Sequence, residues 1–116
     1  MTMRLPETEE RYQQAKRDGK LVSLLEVPRL ADYTYWAKIP NEFAHDRVAE
    51  KHDLLVLKRE CEDFWHITDE EWKELKTILA SLNNGEYNSF KVNFTNTQSI
   101  KGLPHIHLFR YLPEFR

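Results

Sequence analysis

Apolar residues recur at helical spacing in one long segment of the chain. At this spacing, five side chains would share one face of a helix: Trp72, Leu75, Ile78, Leu79 and Leu82. Thr68 can cap the free amides at the start of this helix, and Glu71 can reach back to complete a capping box. Gly85 suits the left-handed backbone that often ends a helix. The pattern predicts an amphipathic helix that packs against a sheet.

Elsewhere the apolar positions alternate or form short β-branched and aromatic runs, which predict strands at 20–27, 33–39, 52–59, 89–95 and 103–112. The 52–59 segment is apolar on both faces and is predicted to be central. In the 89–95 segment, Phe90, Val92 and Phe94 are expected to face the core. A charged run that stops at Asp18-Gly19 predicts a short N-terminal helix. We therefore predict an α+β domain with an antiparallel sheet of about five strands and one long helix.

His105 and His107 lie two apart in the last predicted strand. Side chains at this spacing point to the same face of a strand, so the two imidazoles would be neighbours, with Ile106 and Leu108 opposite. Paired imidazoles can act as nucleophile, proton carrier or metal ligand. They can equally be two polar residues on the solvent face of a strand, and the local pattern does not distinguish these readings.

Length and charge limit the choice of function. The chain has 116 residues and a net charge of −2, which gives no electrostatic basis for binding a long nucleic acid. This length predicts one compact domain, with residues 1–30 as an N-terminal helix and strand extension and residues 31–116 as the main domain.

Three features of the sequence indicate the cellular compartment. No apolar run approaches the roughly 20 residues of a membrane span. The first ten residues are polar and lack a signal-peptide core. Cys61 is the single cysteine, which excludes an intrachain disulfide. Together these features favour the cytoplasm.

Taken in order, several short motifs between about residues 33 and 112 resemble those of the histidine triad superfamily. The motifs are Ile39-Pro40-Asn41, His52-Asp53-Leu54-Leu55-Val56-Leu57-Lys58-Arg59, Ile67-Thr68-Asp69-Glu70-Glu71, Val92-Asn93-Phe94, Gln98-Ser99 and His105-Ile106-His107-Leu108-Phe109. The resemblance implies a HIT-like fold for residues 31–116. It does not extend to the first thirty residues.

Members of this superfamily hydrolyse or transfer nucleotidyl groups through a nucleotidyl-histidine intermediate. By position, the resemblance implies His107 as the nucleophile and His105 as its supporting histidine. It also implies Asn41, Asn93 and Ser99 as residues that bind the substrate. The partner would be a small nucleotide or nucleotidyl ligand, with no cofactor. Superfamily members are commonly dimers, so a homodimer is also expected.

The chain departs from the superfamily pattern in three places, one of which is the loop before His105, where Ser99 lies six residues before His105 instead of about three. Phe109 stands where the third histidine is expected, and Glu60 replaces the histidine after Lys58-Arg59. These changes favour an alternative, a non-catalytic nucleotide-binding or regulatory module. In a second register, Leu103, His105 and His107 are the three triad positions and His105 is the nucleophile. The spacing from Asn93 favours the first register.

A metal site is a third hypothesis, with His105 and His107 joined by His52, His66 or Glu60. It ranks below the other two because no residue near the pair in sequence supplies a third ligand. His45, His52 and His66 are otherwise expected to be surface or structural residues.

Overall fold

A computed structural model of the chain describes residues 3–19, 24–93 and 102–116. Two α-helices lie in these segments, α1 at Pro6–Arg17 and α2 at Asp69–Ser81. The strands are β1 at Ala31–Asp32, β2 at Trp36–Pro40, β3 at Ala49–Leu57, β4 at Ser89–Lys91 and β5 at His105–Tyr111. Short 3-10 turns occupy Leu24–Glu26, Phe64–His66 and Pro113–Phe115. None of the helices in these segments is long and apolar enough to cross a membrane.

The strands form one antiparallel sheet in the order β1-β2-β3-β5-β4. β3 is the middle strand, and its last six residues are buried, as its two apolar faces predicted. It pairs with β2 on one side and, over most of its length, with β5 on the other. The predicted α+β architecture is confirmed.

Helix α2 covers one face of the sheet. Its buried residues Leu75 and Ile78 belong to a core that includes the sheet residues Trp36, Leu55, Leu57, Ile106 and Leu108. The predicted capping box is present: the amide of Glu71 donates to Thr68 Oγ1 over 3.1 Å, and the amide of Thr68 donates to Glu71 Oε1 over 2.7 Å. Because this core occupies the helix side of β5, the alternate side chains of β5 project from the opposite face.

The opposite face is partly covered by the segment after α1. Leu24 packs with Ile39, Leu54, Val56 and Leu103 in a second apolar cluster, which Leu25 and Val27 extend. The predicted strand at 20–27 is wrong for Leu24–Glu26, which forms a 3-10 turn; residues 20–23 lie outside the described segments. This segment buries its apolar side chains on the face of the sheet instead of pairing its backbone with an edge.

The prediction for 89–95 is also wrong in part. β4 spans only Ser89–Lys91, and Phe90 is 59% exposed and Val92 44% exposed. Phe94 lies outside the described residues. β4 is an edge strand with β5 as its neighbour, and a groove of about 230 Å³ remains between Phe90 and the end of α2. Nothing in the described chain therefore covers Phe90.

Candidate active site

The pairing of β3 with β5 places three histidines on one face of the sheet. His52 pairs with Phe109, Leu54 with His107 and Val56 with His105. Directly paired residues project to the same side, so His52, His105 and His107 share the face away from α2. Ile106 lies in the core under α2, which confirms the predicted orientation of the histidine pair.

His52 and His107 are joined by a hydrogen bond between His52 Nε2 and His107 Nδ1, 2.8 Å apart. The other nitrogen of His52, Nδ1, accepts the backbone N–H of His45 over 2.9 Å. A backbone N–H can only donate, so Nδ1 carries no proton and the neutral ring holds its proton on Nε2. His52 must then donate to His107. His107 Nδ1 is the acceptor, and His107 in turn holds its proton on Nε2.

His105 has the opposite arrangement. Its Nδ1 lies 2.8 Å from the carbonyl oxygen of Leu103. A carbonyl can only accept, so His105 Nδ1 is the donor and the neutral ring has a free lone pair on Nε2. The rings of His105 and His107 are 5.3 Å apart, centroid to centroid. Neither Nε2 has a hydrogen-bond partner among the described residues, so the site presents a lone pair on His105 beside an N–H on His107.

Burial keeps these imidazoles neutral. It lowers the pKa of His52 to about 2 and that of His107 to about 3, and nearby positive charge adds to both shifts. Burial likewise lowers the pKa of His105 and lowers that of His45 to about 4. Among the charges that act on His107 is Lys91, which pairs directly with it across β4 and β5. The neutral tautomers deduced above therefore apply at pH 7.

A fourth histidine, His45, comes from the loop between β2 and β3. Its ring centroid lies 4.5 Å from that of His52 and 6.0 Å from that of His107. Its Nδ1 is buried and has no hydrogen-bond partner among the described residues. His45 and His52 were expected to be surface or structural residues, with His52 also considered as a metal ligand, and both belong to this cluster. The local sequence gives little signal for them, because the β3–β5 register and the loop between strands bring them to His107.

Phe109 is 1% exposed and lies beneath the histidine cluster. Its ring stacks 4.3 Å from His52 and 4.6 Å from Tyr111, again between centroids. It lies on the same face of the sheet as the histidines, and its apolar ring packs against the ring of His52.

The predicted substrate-binding residues have different positions. Asn41 Nδ2 lies 3.3 to 3.4 Å from both ring nitrogens of His52, which places it over the ring, and its Oδ1 accepts the amide of Phe43. Asn93 is half-buried and lies two residues beyond Lys91. Ser99 lies outside the described residues. The structure therefore brings Asn41 to the histidines.

Two residues considered as metal ligands lie elsewhere. His66 Nδ1 is 2.6 Å from Asp63 Oδ1, and these two form a cluster with Glu62 in which His66 and Glu62 are exposed. Glu60 is exposed, beyond the end of β3. Of the three residues considered as a further ligand beside His105 and His107, the structure places His52 next to His107, whereas His66 and Glu60 lie elsewhere.

Comparison with known proteins identifies the fold. No protein-family model and no curated protein sequence matches the chain. A solved structure of a histidine triad protein from Clostridium difficile matches it with a TM-score of 0.50, over 84% of this chain and 87% of that chain, at 18% sequence identity. The chain therefore has the fold of a histidine triad protein.

Proposed function

We propose that this protein is a nucleotide hydrolase or nucleotidyl transferase in which His105 is the nucleophile. The observation that carries the proposal is the bond from His105 Nδ1 to the carbonyl of Leu103, because it leaves the lone pair of Nε2 free. A neutral imidazole held in this tautomer is a competent nucleophile at pH 7. The same bond supports the second register of the histidine motif, with Leu103, His105 and His107 as the three positions, over the first.

In the proposed first step, His105 Nε2 attacks the α-phosphorus of a bound nucleotide. A bond forms between Nε2 and phosphorus, and the bond from phosphorus to the leaving oxygen or nitrogen breaks with its electron pair. The ring becomes an imidazolium, whose Nδ1–H bond to Leu103 is then strengthened by charge. Water or another acceptor attacks phosphorus in the second step, and the bond to Nε2 breaks with its electron pair returning to the ring. The proton that the acceptor loses balances the one that the leaving group takes up from solvent.

His107 supplies the complementary group in this proposal. Its free Nε2–H can donate to a phosphate oxygen or to the leaving group, where negative charge develops. Lys91 pairs with His107 across the sheet and adds positive charge near the phosphate. Donors and charges placed in advance at such a position are among the largest contributions to catalysis.

With His105 as the nucleophile, Leu103 becomes a departure from the superfamily pattern and Phe109 no longer is one. Leu103 stands at the first histidine position and is buried among Leu24, Ile39 and Leu54. Phe109 then follows the triad and is a packing residue under His52. The nucleophile and the donor are both retained, and the lost histidine is the one replaced by Leu103.

The test is turnover of adenosine phosphoramidate, dinucleoside polyphosphates and nucleoside diphosphate sugars. His105→Ala should abolish turnover and the covalent nucleotidyl adduct seen by mass spectrometry. His107→Ala should retain the adduct but react roughly 100- to 1000-fold more slowly, the usual loss for one such donor. His66→Ala is the control, since His66 lies in the separate exposed cluster. A His105→Ala protein as active as the control would refute the assignment.

A second candidate is a nucleotide-binding module without catalysis. The favouring observation is that His105 is only 4% exposed, with Leu24 and Leu103 packed in the adjoining cluster. This candidate predicts a thermal shift with nucleoside monophosphates but no turnover with any of the three substrates. Absence of a shift at millimolar nucleotide would count against both candidates.

A further inference from the structure

Helix α1 contacts the loop between β2 and β3 through the side chain of Asp46. Asp46 Oδ1 accepts the amide of Leu5 over 2.7 Å, and Asp46 Oδ2 accepts the hydroxyl of Thr8. Leu5 is the N-cap residue of α1, and its own side chain makes no capping bond. Asp46 therefore supplies the cap from the loop, and its negative charge lies at the positive end of the helix. These bonds hold the carboxylate and lower the pKa of Asp46.

The same helix and the residues before it hold both sides of His45. On one side, Arg4 Nε donates to the carbonyl of Phe43 over 2.6 Å, and the Tyr12 ring packs edge-on against the Phe43 ring. On the other, the amide of Arg47 donates to the carbonyl of Met3 over 3.0 Å. Residues 43, 46 and 47 are thus all fixed by residues 3 to 12, which leaves His45 little freedom.

The backbone N–H of His45 determines which nitrogens of His52 and His107 carry protons. It is the donor to His52 Nδ1. Without it, His52 could hold its proton on Nδ1 and accept at Nε2. His107 would then donate from Nδ1, and its Nε2 would lose the proton. Both histidines would change tautomer together, because they share one hydrogen bond. The site would then have a lone pair on Nε2 of both His105 and His107, and neither Nε2 would carry a proton.

We propose that α1, through Asp46, fixes the tautomers of His52 and His107 by holding the His45 amide in place. Asp46 and Thr8 are accordingly positioning residues of the site. The N-terminal segment is thus a part of the catalytic unit. The effect of the contact between α1 and Asp46 on the reaction rate rests on the proposed function, but its effect on the tautomers of His52 and His107 does not.

The experiment is ¹⁵N NMR of the full-length chain with labelled histidine, which reports the protonated nitrogen of each imidazole. In the wild type, His52 and His107 should carry the proton on Nε2 and His105 on Nδ1. In Asp46→Ala, the tautomer ratio of His52 and His107 should change by roughly 2- to 10-fold, the factor that one ordinary hydrogen bond supplies. His105 should not change, because its partner is Leu103.

Two further variants keep the test decisive. Thr8→Val removes one bond to Asp46 with little change of shape and should shift the same two histidines, less strongly. Asp18→Ala is the matched control: it removes a carboxylate from the other end of α1, where Asp18 accepts from Gln14. If Asp46→Ala does not fold, Thr8→Val decides the outcome.

Steady-state kinetics give a second reading. In Asp46→Ala, kcat should fall by roughly 2- to 10-fold, because the N–H of His107 Nε2 that acts in the proposed reaction is partly lost. KM should change little, because α1 does not hold the substrate. Unchanged tautomers in folded Asp46→Ala and Thr8→Val proteins would overturn the inference. Shifted tautomers in a protein without any turnover would refute the proposed function and leave this inference standing.

Discussion

Acidification from pH 7 to pH 5 should destabilise this protein through its buried histidines. Burial lowers the pKa of His52 to about 2 in the folded protein, whereas an unfolded chain has a histidine pKa of about 6.5. As pH falls below about 6.5, the unfolded state takes up a proton that the folded state does not. The contribution of His52 is therefore fully present above pH 6.5 and is lost as pH falls toward the folded pKa.

The magnitude follows from proton linkage. A histidine that stays neutral in the folded state lowers the free energy of unfolding by about 2 kcal/mol between pH 7 and pH 5. His107 and His45 act in the same direction, because burial also lowers their pKa, to about 3 and about 4. His66 opposes them: Asp63 raises its pKa, so its contribution is present at low pH and is lost as pH rises. A small domain is stable by only about 5–15 kcal/mol, so the predicted loss is large.

Urea denaturation at pH 7 and pH 5, followed by circular dichroism, measures the difference directly. His52→Gln introduces a polar side chain of similar length that cannot titrate. The free energy of unfolding of this variant should therefore fall by about 2 kcal/mol less than that of the wild type between pH 7 and pH 5. His66→Gln is the control and should increase the loss. A wild-type free energy of unfolding that is equal at the two pH values would refute the assignment of neutral, buried imidazoles.

Three other predictions concern packing, capping and assembly. Phe109→Ala should lower the free energy of unfolding by about 3–5 kcal/mol, as expected for a buried aromatic side chain, and a loss below about 1 kcal/mol in urea denaturation would contradict its role as support. Thr68→Ala should cost about 0.5–2 kcal/mol through loss of the cap of α2, while Thr77→Ala, at an exposed position of the same helix, is the comparison. Because β4 is an edge strand and no element of the described chain covers Phe90, we expect a homodimer that Phe90→Glu converts to monomer in light scattering; a monomeric wild type at millimolar concentration would contradict this.

The local sequence pattern was sufficient to predict those elements whose structure depends on a single segment. The box of Thr68 and Glu71 and the apolar stripe after it specify α2, because capping and helical spacing are local properties. The central position of β3 followed from its two apolar faces. The predicted strand failed for Leu24–Glu26, and the predicted burial failed for Phe90. Both depend on which element lies opposite the segment in the folded chain. No local pattern shows that α2 leaves β4 uncovered.

The sequence by itself determined the α+β architecture and the shared face of His105 and His107, since strand geometry places residues two apart on one side. Only the tertiary structure decided which nitrogen of each imidazole carries a proton. That depends on a carbonyl at Leu103 and on a backbone amide at His45, which acts through His52. Two histidines in one strand are chemically equivalent until such partners distinguish them. The partner of His107 comes from β3 and that of His52 from the preceding loop, so the distinction depends on contacts distant in sequence.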